Sequence, residues 1–514
     1  MNDDEDEFKV QSIADVKNKY NFVSKYLLSF ISFFFSTIFC TILCTGAIFQ
    51  QLIDKIRGKS KIILPDIEIR SNGYIPRQAY DDMTNLKTID DLQYYLKQLK
   101  LDLEEYEVTT PDGFILTLHH IINPTESQQQ RDERKPMYMQ HGLLSCSATW
   151  IVSGKNSLAY YMFENGYDVW LGNNRSWFEA KHATLKGDLY NSEKYWNWSI
   201  KHLAYYDLPS FIETVLSMKP KHDKLVLVGH SQGGLQSFLM LKNPYLSYIH
   251  DKIDFFIPIA PAIYPGRLFY TRWFISIVST LPKLAWLIMF GYSAILRNLC
   301  LMRLYLCQYW IFGKLSYYMF YYLFSWNGSN WDQDRKIWHI LFIFNMSYVS
   351  VDLFQFYLGK FNQFGFMSTL LPKEVYMNDD EIDYFVVDAK RNLEEITEEN
   401  ITESDKSNEP LSKSYFPYNK TWFTENIKKV PMLLVLGDND YLVDGKRLLS
   451  HMLNFEPGYT KYKNFNFINV PTYNHLDVIW AKDVNGSIGY EILKFIKDIE
   501  NEQEFNEAME LKLE

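Results

Sequence analysis

The chain is poor in several things. Five cysteines in 514 residues exclude a disulfide-dense scaffold. Basic charge is in deficit, since 52 Lys and Arg against 62 Asp and Glu leave a net charge of −10. A nucleic-acid binder neutralises phosphate with clustered Lys and Arg, so nucleic acid is not an expected partner. Apolar residues do not dominate either: mean hydropathy is −0.22, which excludes a polytopic transporter. None of the 11 histidines stands at metal-ligand spacing from Cys or carboxylates, so no metal and no other cofactor is expected. What the chain has in excess is aromatic, with 37 Tyr, 36 Phe and 13 Trp making 17% of it.

One stretch carries no charge at all, Tyr26 to Phe49. As a helix rising ~1.5 Å per residue it spans ~36 Å, enough for a bilayer core with some tilt. A cleaved signal peptide would have a shorter apolar region and a basic flank. Here the preceding residues 1–25 form a tail that opens on an acidic run, Asp3 to Glu7. Residues 26–49 therefore read as a single-pass membrane anchor, consistent with the endoplasmic reticulum, the plasma membrane or a lipid droplet. Lys9, Lys17, Lys19 and Lys25 before it nearly balance Lys55, Arg57, Lys59, Lys61 and Arg70 after it, so the positive-inside comparison gives no orientation. Asn-x-Ser/Thr sites at Asn174, Asn197, Asn327, Asn345, Asn400, Asn419 and Asn485 permit a glycosylated, lumenal chain without requiring one.

Residues 50–100 read as linker and lead-in, and a strand–helix alternation then begins. LEEYEVTTPDGFILTLHHI is two β-rich runs broken at Pro111-Asp112-Gly113, a hairpin signal. MYMQHG, YDVWLG, KLVLVG, DFFIPIA, PMLLVLG and FNFINV are short apolar runs, with amphipathic stretches such as Leu208–Met218 and Gln232–Leu241 between them. Buried parallel strands with helical crossovers produce this pattern, so the class is α/β with a mostly parallel sheet. The alternation divides into a first core part at 101–266 and a second at 411–500, followed by a tail at 501–514. Between them lie a helical, aromatic cap or lid insertion at 267–377 and an acidic stretch at 378–410. The latter holds twelve Asp and Glu and reads as a solvated loop.

The strongest chemical signal is Gly229-His230-Ser231-Gln232-Gly233, directly after a strand-like run and opening a helical one. A serine hydroxyl is a poor nucleophile unless held exposed beside a base, which a tight strand-to-helix turn achieves. Glycines on either side avoid collision with the neighbouring strand and helix. Such an elbow requires an acid and then a histidine later in the chain, each after a strand. Asp440 follows Met432–Leu436 and His475 follows Phe465–Val470. His475 is the expected general base and Asp440 its orienting acid. Asp438, Asp444 and Asp477 read as turn or cap residues, His230 as pointing into the fold, and His141 as shaping a loop. Oxyanion stabilisation needs two backbone N–H groups. Gln232, after the nucleophile, supplies one, and the loop after Met137–Gln140 supplies the other, from Leu143 with Leu144 as the alternative. Cys300 and Cys307 are expected to fill a core or form one bridge, and Cys40 and Cys44 fall in the membrane run.

Together EEYEVTTPDGFIL, QHGLLSCSATW, YDVWLGNNRSW, GHSQGG, GDNDYLVD and YNHLDVIWAKD resemble the acid lipases, the family of gastric and lysosomal acid lipases and of membrane-anchored fungal steryl ester hydrolases. The resemblance runs from about residue 101 to 485. It implies an α/β-hydrolase fold, with nucleophile Ser231, acid Asp440, base His475 and oxyanion donors Leu143 and Gln232. Within GDNDYLVD it favours Asp440 over Asp438 and Asp444. The uncharged N-terminal run matches the fungal steryl ester hydrolases better than the secreted members. The expected activity is therefore cleavage of a water-insoluble lipid ester, a steryl ester giving sterol and free fatty acid through an acyl-enzyme. A triacylglycerol lipase is the alternative within the class, and a non-catalytic lipid-binding or tethering protein the alternative outside it. Oligomeric state is not legible.

The aromatic surplus concentrates in Leu268–Trp326, with 18 aromatics in 59 positions, five Lys and Arg, and no Asp or Glu. Such a surface suits a phospholipid interface, where Trp and Tyr favour the headgroup level. The expectation is a lid lying on a membrane or lipid-droplet surface, with Trp310 and Phe312 exposed on it. A cap packed wholly onto the core is the opposite expectation.

Overall fold

The computed structural model describes residues 22–57, 72–358 (apart from 272–274, 276, 279–280, 292 and 296), 421–423 and 427–510. The acidic stretch at 378–410 lies outside them, as do most of the N-terminal tail and the sites at Asn400 and Asn419.

Among the described residues eight strands form one sheet: β1 (Asp102–Thr109), β2 (Ile115–Ile122), β3 (Lys135–Gln140), β4 (Tyr167–Asn173), β5 (Leu225–His230), β6 (Ile253–Ile259), β7 (Met432–Gly437) and β8 (Phe465–Val470). Their order is β1-β2-β4-β3-β5-β6-β7-β8. β1 and β2 are the antiparallel hairpin around Pro111-Asp112-Gly113, and β2 also meets β4 antiparallel. From β4 to β8 every pairing is parallel. Strands of a covered parallel sheet must be apolar on both sides, and all six residues of β5 are buried. This is the α/β-hydrolase arrangement, with every apolar run identified in the sequence present as a strand.

Among the described residues the first helix, α1, is long: it spans Phe22–Ile56 and so extends past both ends of the uncharged run. Among the described residues one helix is long and apolar enough to cross a membrane, over Phe30–Ile56. Two amphipathic stretches became helices α2 (Leu208–Ser217), on β1 and β3, and α3 (Gln232–Leu241), on β5 and β6. The described part of the insertion is largely helical, with α4 (Lys283–Phe290), α5 (Arg297–Leu306), α6 (Trp310–Phe324), α7 (Arg335–Ile343) and α8 (Val351–Leu358), and residues 359–377 lie outside the described residues. A last helix, α9, runs over Tyr490–Glu510.

The insertion divides its aromatics between two environments. Trp286, Trp326 and Trp331 are buried, and Trp331 meets Trp480 of the core edge to face at 5.3 Å. Tyr305, Tyr309 and Trp310 are exposed. The expectation for Phe312 is corrected: Trp310 is 70% exposed but Phe312 only 9%. The two stand two positions apart on α6, on different sides of the helix, and Phe312 shares the inner face with Ser316 and Phe320. Cys300 and Cys307 are both buried free thiols, so the bridge alternative is also corrected. Three possible glycosylation sites, Asn174, Asn345 and Asn485, are buried in the folded chain, while Asn197 is exposed.

Candidate active site

Ser231 sits between the end of β5 and the start of α3 with φ +53° and ψ −113°. A left-handed non-glycine backbone costs on the order of 1–3 kcal/mol and persists only where the surroundings hold it. Here the Ser231 amide donates to the Ile259 carbonyl at 2.9 Å, and the Ala262 amide donates to the Ser231 carbonyl at 3.0 Å. The flanking glycines answer to space. A Cβ on Gly229 would lie 2.7 Å from the Gly233 carbonyl, and one on Gly233 would run into the carbonyls of Gln140 and His141. Only bare backbone allows β3, β5 and α3 to converge this closely, and that convergence lifts the hydroxyl out of the sheet.

The loops after β7 and β8 bring the acid and the imidazole to it. The Ser231 hydroxyl lies 2.8 Å from His475 Nε2, and His475 Nδ1 lies 2.7 Å from Asp440 Oδ2. An ionised carboxylate only accepts, so Nδ1 carries the proton and Nε2 presents its lone pair to the hydroxyl. Asp440 is itself fixed: its Oδ1 accepts from the amides of Leu442 at 2.9 Å and Val443 at 3.1 Å. Both His475 and Asp440 side chains are almost fully buried. The Trp326 ring of the insertion lies nearly parallel over the His475 imidazole, 15° apart at 5.8 Å.

The rival groups have other partners. Asp438 is at the surface, where Lys446 and Asn469 hold its carboxyl below the ordinary value. Asp444 caps a helix by accepting from the Arg447 amide at 3.0 Å. Asp477 accepts from the Asn474 amide at 2.8 Å and from Asn330 Nδ2 at 2.8 Å, tying the His475 loop to the insertion. His230 points inward and its Nε2 donates to the His475 carbonyl at 3.0 Å. Burial, then the neighbouring His475, keeps His230 well below its ordinary basicity and therefore neutral.

Gln232 opens α3, and its amide stands in the first turn, where no intrahelical acceptor exists. Leu143 and Leu144 lie in the loop after β3, and both line the cavity above Ser231. Leu144 has φ +57°, and its carbonyl accepts from the Met346 amide at 2.8 Å. His141 braces the same loop: Nδ1 donates to the Gly142 carbonyl at 2.7 Å and Nε2 accepts from the Asn174 amide at 3.3 Å. Burial pushes His141 down to about 4, so this neutral tautomer persists at physiological pH.

Sequence reasoning missed a buried ionic support for this face of the sheet. Arg175, just past β4, reaches Asp207 with Nε at 2.9 Å and Nη2 at 2.6 Å, and Asp112 with Nη1 at 2.7 Å. Its guanidinium also lies 3.8 Å from the centre of the Phe114 ring. Nothing in one dimension links a hairpin-turn Asp to residues 63 and 95 positions later; only the run of polar residues Asn173-Asn174-Arg175-Ser176, emerging from an apolar strand, signals a buried network.

The cavity over Ser231 holds about 1330 Å³ of unoccupied space, its open mouth included, and apolar side chains line nearly all of it. Its walls come from the core (Leu442, Leu476), the insertion (Phe320, Phe324, Trp326) and α1 (Phe39, Leu43). A serine hydroxyl, an imidazole and a carboxylate linked in that order at the floor of an apolar cavity form an arrangement suited to acyl transfer from an apolar ester. Among the described residues no cluster of His, Cys, Asp or Glu could hold a metal ion.

Comparison with known proteins agrees with this chemistry. Residues 92–154, which include the loop carrying Leu143, match the family model of a partial alpha/beta-hydrolase lipase region. Sterol esterase 2 of Saccharomyces cerevisiae is 33% identical over 426 residues, covering 80% of this chain and 72% of that protein. Lipase member N of Mus musculus is 28% identical over 406 residues, 77% of this chain and 87% of that protein. Gastric triacylglycerol lipase of Rattus norvegicus is 35% identical over a shorter 191 residues, 37% of this chain and 46% of that protein.

Proposed function

The chain belongs to the alpha/beta-hydrolase lipase family that includes yeast sterol esterase 2, and from that premise we propose that Ser231, Asp440 and His475 carry out its chemistry on steryl esters at a membrane. The chain is a carboxylic ester hydrolase acting on lipid esters. The observation that carries the site assignment is the continuous relay from the Ser231 hydroxyl through His475 to Asp440, at 2.8 and 2.7 Å, beneath an apolar cavity.

The reaction follows from the relay. Ser231 Oγ attacks the ester carbonyl carbon while its proton passes to His475 Nε2. Asp440 stabilises the resulting imidazolium and keeps Nδ1 directed away from the nucleophile. The charge that develops on the carbonyl oxygen falls to the amides of Gln232 and Leu143, each such donor contributing roughly 10²–10³ in rate. Collapse of the tetrahedral adduct breaks the bond to the sterol oxygen, which takes the proton from Nε2 and leaves as the alcohol. Water then repeats the sequence on the Ser231 acyl-enzyme, losing its proton to His475 and releasing the fatty acid.

The steryl preference rests on the similarity to sterol esterase 2; the apolar lining of the cavity suits either a steryl or an acylglycerol ester. The shorter match to a gastric triacylglycerol lipase makes triacylglycerol the second reading. Purified full-length enzyme in detergent, given steryl oleate and triolein at equal molar fraction in mixed micelles, is expected to favour steryl oleate at least tenfold in kcat/KM. A preference for triolein would replace the first reading with the second. The exposed face of α1 supports a single-pass membrane location, with the endoplasmic reticulum, plasma membrane and lipid droplet all compatible with it. Resistance of the full chain to carbonate extraction from membranes tests this, and release into the soluble fraction would refute it.

A further inference from the structure

Helix α1 does more than pass beside the hydrolase. Along α1 the buried positions are Ser32, Leu43, Ala47 and Asp54, with Phe39 half-buried on the same side. These recur every three to four residues, or multiples of that, and mark one face. Phe34, Ile38, Ile42, Phe49 and Leu52 on the other faces are exposed. The buried face packs on α4 and α6. Phe39 meets Phe290 edge to face at 6.2 Å, and a Cβ on Gly46 would stand only 3.0 Å from the Tyr322 ring, so the bare glycine leaves room for that ring against α1. Beyond the uncharged run, the Tyr321 hydroxyl donates to Asp54 Oδ2 at 2.7 Å, and Gln50 Nε2 donates to the same oxygen at 3.0 Å. A charge-assisted bond of this kind fixes rotation about the helix axis as well as position. That rotation aims Phe39 and Leu43 into the cavity that Ser231 and His475 floor.

We propose that α1 is a wall of the substrate site, in which Phe39 and Leu43 contact the apolar body of the lipid ester and set how long or bulky a group the cavity takes. This rests on the reading of Ser231 as the nucleophile and extends it to the membrane helix. The opposite face of α1 meets lipid, so the cavity stands one helix diameter, about 10 Å, from the bilayer interior. An ester dissolved among acyl chains is then admitted beside α1 without its apolar body crossing water.

The test uses the full chain in nanodiscs and compares Leu43→Trp with Ile42→Trp. These neighbours differ in direction, Leu43 being 5% and Ile42 58% exposed. Leu43→Trp is expected to lower the ratio of kcat/KM for steryl oleate to that for steryl butyrate by about tenfold, and Leu43→Ala to raise it. Ile42→Trp is expected to leave the ratio within twofold. Equal shifts for the two Trp variants, or no shift in either, overturn the proposal. Since a Trp at 43 can disturb folding, a second measurement stands apart from it. Ser231→Ala protein is irradiated with a steryl ester carrying a diazirine in its acyl chain, and the adduct is mapped by peptide mass spectrometry. Adducts within residues 39–43 support the wall; adducts confined to the core and insertion refute it. Failure of the parent reading is separately visible, because wild-type protein would then be unlabelled by a fluorophosphonate at Ser231.

Discussion

Replacing Asp440 with Asn tests the electronic reasoning about the relay without emptying any space. The two oxygens of Asp440 are not equivalent: Oδ1 accepts from the Leu442 and Val443 amides, and Oδ2 accepts from His475 Nδ1 at 2.7 Å. In Asp440→Asn the amide oxygen must take the Oδ1 position, since an NH₂ there would face two donors. The NH₂ group then faces Nδ1, which can satisfy it only as an acceptor. The imidazole proton moves to Nε2, where it points at the Ser231 hydroxyl 2.8 Å away, and the base no longer offers a lone pair to its nucleophile. A wrong-tautomer substitution of this kind costs a triad enzyme about 10⁴ in kcat, or about 5.4 kcal/mol of barrier at 1.36 kcal/mol per tenfold. The assay is turnover of a short soluble ester by detergent-solubilised full-length protein, with the rate of fluorophosphonate labelling measured in parallel. Both are expected to fall together, while thermal stability stays near that of the parent. Asp438→Asn, at the surface with Lys446 and Asn469, is expected to change turnover less than twofold. An Asp440→Asn enzyme within tenfold of wild type would refute the assignment of the tautomer, and with it the role of Asp440.

Three further outcomes follow from packing and charge. Arg175→Ala strands Asp207, whose side chain is fully buried, and breaking one partner of a buried pair costs about 3–5 kcal/mol; denaturant unfolding should show it, and a loss below 1 kcal/mol would contradict the network's importance. Trp310→Ser removes an exposed ring at the start of α6 and should cut hydrolysis of emulsified ester several-fold while sparing a short soluble ester; equal loss on both would refute an interfacial role for the insertion. His141 is depressed to about 4 by burial, so between its ordinary value near 6.5 and about 4 the unfolded chain binds a proton that the folded chain refuses. Stability should fall as pH drops through that window, and His141→Asn should flatten the fall; an unchanged slope would show that His141 does not contribute to it.

What was legible in the sequence was whatever the sheet encodes locally. Buried parallel strands must be apolar throughout, so β3 to β8 announced themselves as short runs, and the strand–turn–helix context of Ser231 marked its elbow. Asp440 and His475 stood out as candidates because their loops follow such strands in the required order, and the structure brings both side chains to Ser231. Features that depend on three-dimensional phase were hidden. Trp310 and Phe312 look alike in one dimension, and only the register of α6 buries one and exposes the other. The Arg175 network joins residues 63 and 32 positions away, with no periodicity to betray it. The run Tyr26–Phe49 read as an anchor because apolarity and length fit a bilayer, but they do not say which face of the helix meets protein. The docking of Phe39 and Leu43 into the cavity depends on Gly46, Asp54 and Tyr321, residues whose roles appear only once the insertion folds beside them.

Everything proposed for the site turns on Ser231 being the acylated nucleophile of a lipid ester hydrolase. Intact-mass analysis of full-length protein treated with a fluorophosphonate tests it most directly, combined with steryl oleate hydrolysis by the same preparation. One adduct is expected, mapped to Ser231, with complete loss of hydrolysis, and neither adduct nor hydrolysis in Ser231→Ala. Steryl oleate hydrolysis that survives in Ser231→Ala, or an adduct on another residue, would contradict it.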